Sequence, residues 1–137
     1  MHNRAAAFDI CPVKFSHSHN NRRKGIHYMS KPKILIVDDS QLNREILACM
    51  LEDNYDICEA KNGKQAVEIL ERCHKDFKLV LLDLIMPVMD GYQVLAVMKE
   101  KQWLDMLPVI CISSETSRES IRRITGYLVG TIDRWNN

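Results

Sequence analysis

The stretch that decides the fold is KLVLLDLIMPVMDGYQVL, residues 78–95. An apolar run from Leu79 to Leu82 stops on one acid, Asp83, and Met86-Pro87 and Asp90-Gly91 follow it. A short continuous apolar run bounded by turn signals reads as a strand covered on both faces, the habit of a parallel sheet. The carboxylate at its end is then held by the core at the rim of the sheet, within reach of solvent. Alone, a strand-end Asp is usually a turn former or a helix cap. The reading therefore depends on what stands at the ends of the other strands.

Upstream, KILIV (33–37) is predicted as a first strand and runs into Asp38-Asp39. Ser40 caps a helix, SQLNREILACMLED, that presents Leu42, Ile46, Cys49 and Met50 on one face. YDICEA (55–60) is a second strand, and Asn62-Gly63 turns into a helix with Ala66, Val67, Leu70 and Cys73 inward. Downstream, a helix runs from Asp90-Gly91 to about Lys101, PVICIS (108–113) is a fourth strand, and a helix spans about Thr116 to Arg123. YLVGTI (127–132) is a candidate for a truncated fifth strand. Short strands alternating with longer helical stretches give an α/β, doubly wound parallel sheet. In such sheets ligands sit beyond the carboxyl ends of the strands, where the strand order reverses. With the order 2-1-3-4-5, the first and third strands are neighbours, so Asp38, Asp39 and Asp83 share one mouth with Ser113 at its side.

Three clustered acids repel one another, and without a cation one of them should keep its proton. A hard divalent ion relieves the repulsion, and Mg²⁺, which favours oxygen ligands and phosphate partners, suits the set. A carboxylate beside such an ion can act as a nucleophile toward phosphorus, and a nearby hydroxyl can donate to the transferred oxygens. Asp83 and Ser113 suit those roles.

Composition bounds the alternatives. A chain of 137 residues, 46% apolar and 27% charged, fits one globular domain with a proper core. No run approaches the length of a membrane helix. The five cysteines form no CxxC pair, which points to a reducing, cytoplasmic compartment. Residues 1–33 carry seven Lys/Arg against one acid, and the rest twelve against seventeen. Residues 1–30 are accordingly expected to be a disordered basic tail or leader ahead of a domain spanning 31–137. An arm for nucleic acid (Arg22, Arg23, Lys24), an organellar presequence and a leader before a start at Met29 compete there, and the last is preferred.

ILIVDDS, LVLLDLIMPVMDG and LPVICISSE, in this order and spacing, resemble the receiver domain of two-component response regulators. The resemblance covers about residues 33–126, and its D-x-x-M-P-x-M-D-G pattern is far more specific than a lone short motif. It implies a flavodoxin-like sheet and a signalling module that catalyses only its own phosphorylation. By resemblance Asp83 is the phosphoacceptor, Asp38 and Asp39 organise Mg²⁺, and Ile85 completes the metal site with its backbone carbonyl. Ser113 is the switch hydroxyl and Ser114 the small residue beside it. The implied partner is a sensor histidine kinase or a phosphotransfer protein.

The likeness thins toward the C-terminus. Receivers end their fifth strand in Lys-Pro, whereas no Lys follows Lys101 here, and Arg134-Trp135 stands near the corresponding place. An Arg fork does not replace a Lys point charge. Tyr127 is the candidate for the aromatic switch position. The last strand and helix are thus expected to be truncated or altered, with the domain incomplete after about 126. An uncovered sheet edge would then favour marginal stability, or a homodimer or other partner. A degenerate receiver that binds partners without phosphorylation is the alternative function. A Mg²⁺ phosphatase would want a second Asp at Ile85, and DNA binding has no recognition helix to support it.

Overall fold

The computed structural model describes residues 31–113 and, beyond them, 118, 119, 122 and 123, which are helical. Among the described residues, four strands form one parallel sheet: β1 (Lys33–Val37), β2 (Asp56–Ala60), β3 (Phe77–Asp83) and β4 (Val109–Ile112). Their order is β2-β1-β3-β4, so the apolar β3 is an inner strand beside β1, as its pattern predicts. Three helices connect them: α1 (Gln41–Leu51), α2 (Gly63–Cys73) and α3 (Gly91–Glu100). Single turns of 3₁₀ helix at His74–Asp76 and Trp103–Asp105 were not anticipated. The expected fifth strand, Ser114, Tyr127, Arg134 and the basic tail lie outside the described residues.

Alternation along the strands divides the core. Leu35, Val37, Cys58, Val80 and Leu82 face α2 and α3, where Ala66, Leu70, Val94, Leu95 and Met98 are buried against them. Ile34, Ile36, Ile57 and Leu81 face the other way, toward Leu47, Ala48 and Leu51 of α1. Each fully buried aliphatic side chain contributes about 1.5–3 kcal/mol, so the two layers together hold β1 and β3 in place.

One helix is rotated from its predicted setting. Leu42, Ile46 and Met50 of α1 are 65%, 50% and 71% exposed, and Cys49 is exposed too. The stripe on the sheet is instead Arg44, Leu47, Ala48 and Leu51. Both stripes have helical spacing and both are largely apolar, so periodicity alone does not choose between them. In the observed setting Arg44 lies on the sheet side and is partnered there, donating to the carbonyl of Asp38 at 2.7 Å and pairing with Glu59 at 3.4 Å. On β4, Ile110 and Ile112 are also exposed, at 53% and 38%.

The loop after β3 is tightly built. Asp90 caps α3, its Oδ1 accepting from the Gln93 N–H at 2.9 Å while Gln93 Oε1 accepts from the Asp90 N–H at 3.0 Å. Within this loop Val88 has φ 71° and is 80% exposed. A β-branched residue in the left-handed region is strained by about 1–2 kcal/mol, and asparagine tolerates it better. Val88→Asn is therefore expected to stabilise the protein by about 0.5–1 kcal/mol, read as a rise in the urea midpoint at unchanged slope.

Candidate functional site

Parallel strands β1 and β3 point the same way, and the register pairs Val37 with Leu82. Asp38, one residue past β1, is thereby brought beside Asp83, the last residue of β3. Asp38, Asp39 and Asp83 each offer a carboxylate oxygen within 4.8 Å of the others, the one such grouping among the described residues. β4 lies on the far side of β3 with Ile112 paired to Asp83, so Ser113 follows directly at the same mouth. The Leu84 N–H donates to the carbonyl of Ile112 at 3.2 Å and closes that side. Ile85 is half exposed, and its N–H donates to Asp83 Oδ1 at 3.1 Å.

The acids differ in environment. Asp38 is buried, Asp39 exposed and Asp83 half-buried. The Asp83 carboxyl is pushed up from the ordinary 3.8 to about 6, first by burial, with smaller contributions from the charges of Asp38 and Asp39 and a hydrogen bond to Asp39. The Ile85 N–H works against that shift. An upward shift means that the folded protein holds this proton more tightly than the unfolded chain does. The resulting stabilisation is full below about pH 4 and is lost as pH rises through about 6. In chelator, stability is expected to fall by about 1 kcal/mol across that window, relative to Asp83→Asn, once screening at a half-exposed group is allowed for. Urea midpoints at several pH values check this, and a flat difference would contradict it.

The donor set fits one hard cation. All three side chains offer anionic oxygen, and opposite vertices of a Mg²⁺ octahedron are about 4.2 Å apart, close to the observed spread of 4.8 Å. Neither Met86, buried, nor Asp90, engaged as a helix cap, belongs to the cluster.

Three residues behind the triad escaped the sequence reading. Asn43 and Arg44 both reach back to Asp38, and Glu59 on β2 holds Arg44. The signal available was the position of Arg44, three and four residues before Leu47 and Ala48 on a helical stripe. The four cysteines in the described region form no disulfide, and burial raises the thiol of Cys111 to about 11.

Residues 34–129 match the family model described as the response regulator receiver domain. The chain belongs to the receiver-domain family of response regulators. Over 105 residues the receiver is 37% identical to the transcriptional regulatory protein ResD of Bacillus subtilis, covering 76% of this chain and 41% of ResD. It thus spans less than half the length of that relative. Among solved structures, the chemotaxis protein CheY4 of Vibrio cholerae superposes with a TM-score of 0.64 at 28% identity, over 72% of this chain and 81% of that one. The response regulator TrrA of Thermotoga maritima, solved in complex with Mg²⁺-BeF, gives 0.61 at 28% identity over 70% and 80%. The described receiver therefore has the CheY-like, flavodoxin-type parallel sheet, with the order 2-1-3-4 through its fourth strand. No helix among the described residues is long and apolar enough to cross a membrane.

Proposed function

We propose that this receiver accepts a phosphoryl group on Asp83 from a sensor histidine kinase or a phosphotransfer protein, with Mg²⁺ as cofactor. The observation that carries the reading is the convergence of three carboxylates within 4.8 Å at the carboxyl ends of adjacent strands. Asp38, Asp39, Asp83 and the backbone carbonyl of Ile85 would hold the ion. The chemistry such an ion would supply is charge neutralisation and orientation of the transferred oxygens. Asp83 is the nucleophile. As its carboxylate oxygen bonds to phosphorus, the donor's nitrogen–phosphorus bond breaks, and the electron pair leaves on the imidazole, which takes up a proton. Ser113 donates its hydroxyl to a phosphoryl oxygen. The unit begins near residue 31, after a basic tail, and its described cysteines, which form no disulfide, suit a reducing cytoplasm.

The test uses the purified chain and acetyl phosphate. With Mg²⁺ the intact mass is expected to rise by one phosphoryl group, and with chelator it should not change. No increment in Mg²⁺ would sink the proposal.

A second reading, a partner-binding module that works without phosphorylation, draws on the exposed apolar side chains of α1 and β4, Leu42, Ile46, Met50, Ile110 and Ile112. A homodimer through the β4 edge belongs to that reading. Concentration-dependent sedimentation that ignores acetyl phosphate would favour it.

A further inference from the structure

Asp38 is the acid of the triad that the fold buries, at 3% exposure, and all four of its polar atoms are engaged. Its N–H donates to the carbonyl of Ala60 at 3.2 Å. Its Oδ1 accepts from the N–H of Ser40 at 2.8 Å and its Oδ2 from the side-chain amide of Asn43 at 3.4 Å. Its carbonyl accepts from Arg44 Nη1 at 2.7 Å. The Ser40 bond is the local turn that an Asp commonly makes before a helix. The bonds from Asn43 and Arg44 are different in kind, because both side chains reach back from α1 to the end of β1.

Arg44 is also held from a second strand. Its Nε lies 3.4 Å from Glu59 Oε1, with the two side chains only 14% and 16% exposed. By charge alone, a guanidinium behind an acidic mouth disfavours a divalent cation there. Glu59 offsets that charge, so what remains is the directional effect of the hydrogen bond on Asp38. We propose that Asn43 and Arg44, the latter steadied by Glu59, are positioning residues that hold Asp38 aimed into the acidic mouth, so that the triad is ordered before a divalent cation arrives. This rests on the cation-binding reading of the triad given above. Groups behind a ligand that fix its orientation commonly change metal affinity by about 10–100-fold when removed.

The experiment is a calorimetric titration of the full chain with Mg²⁺, alongside Asn43→Ala, Arg44→Met, Arg44→Lys and Glu59→Gln. Circular dichroism and urea unfolding establish that each protein is folded at the titration temperature. Asn43→Ala and Arg44→Met are expected to weaken binding about tenfold, and Arg44→Lys to recover part of the loss. Glu59→Gln should weaken binding as well, more at low salt, because it both loosens Arg44 and unmasks its charge. For Arg44→Met the sign separates positioning from a purely electrostatic role, since deleting a nearby positive charge should otherwise tighten Mg²⁺ binding. Unchanged or tighter binding in folded Asn43→Ala and Arg44→Met overturns the inference and leaves the Mg²⁺ reading standing. A wild-type chain that does not bind Mg²⁺ at all overturns that reading, and the inference with it. Should Arg44→Met fail to fold, Asn43→Ala decides, because Asn43 is exposed and its truncation removes no core packing.

Discussion

Asp83→Asn is expected to abolish phosphorylation by acetyl phosphate, leaving no added mass under conditions where the wild-type chain is modified. The amide keeps the shape of the side chain but has no anionic oxygen to attack phosphorus. Asp38 and Asp39 do not replace it. Asp38 is buried with both carboxylate oxygens occupied by N–H donors, and Asp39 lies two residues beyond the end of β1 and is exposed. The same substitution should stabilise the protein in chelator. It removes one of three mutually repelling charges from a group that burial already disfavours as an anion. A gain of about 1 kcal/mol near neutral pH is expected, discounted for exposure, and it should vanish in Mg²⁺. Phosphorylation that persists in Asp83→Asn would move the acceptor elsewhere. A loss of stability in chelator would mean that the triad does not carry the charge strain argued for it.

Gly91→Ala is expected to cost about 3 kcal/mol, against the direction of helix propensity. In an ordinary helix position alanine is better than glycine by about 1 kcal/mol. Here the Gly91 N–H donates to the carbonyl of Leu84 at 3.1 Å as the chain turns back from β3 into α3. A Cβ on Gly91 would overlap the carbonyl oxygen of Asp83 and come within 2.7 Å of the Leu84 Cα. Both are backbone atoms at the end of a central strand, so they yield only by moving Asp83 itself, and overpacking of this kind typically costs 1–3 kcal/mol or somewhat more. Urea unfolding measures the loss, and a stability within about 0.5 kcal/mol of wild type would show that the turn is loose. A displaced Asp83 should also slow phosphorylation in whatever fraction remains folded. Gly63 is built the same way, with an added Cβ meeting the carbonyl oxygen of Met89 and lying 2.8 Å from Val94 Cγ2, so α2 and α3 both close on the loop after β3.

The fold was legible because its signals are local. The runs 34–37 of β1 and 79–82 of β3 are apolar without interruption since each strand is covered on two faces, and an acid at the end of such a run has one place to go. The helix starts at Asn62-Gly63 and Asp90-Gly91 were equally readable as turns, and the structure adds that Asn62 and Asp90 cap those helices through contacts between residues three apart. The two 3₁₀ turns were not, being too short to carry a period. The rotation of α1 was misread for a different reason. Leu42, Ile46 and Met50 make as good an apolar stripe as Leu47, Ala48 and Leu51, and a hydrophobicity pattern treats Arg44 as a solvent residue.

What the sequence determined by itself is the order of elements and the kind of chemistry at their ends: strands that bury both faces, and acids at the ends of the first and third. Those follow from spacing along one chain, where nearest neighbours decide. Only the tertiary structure decided which of the three acids is buried and held, which face of α1 meets the sheet, and that Asn43, Arg44 and Glu59 stand behind the site. Each of those depends on partners from separate strands and helices meeting at hydrogen-bonding distance, and a linear pattern does not encode distances between segments that only folding brings together.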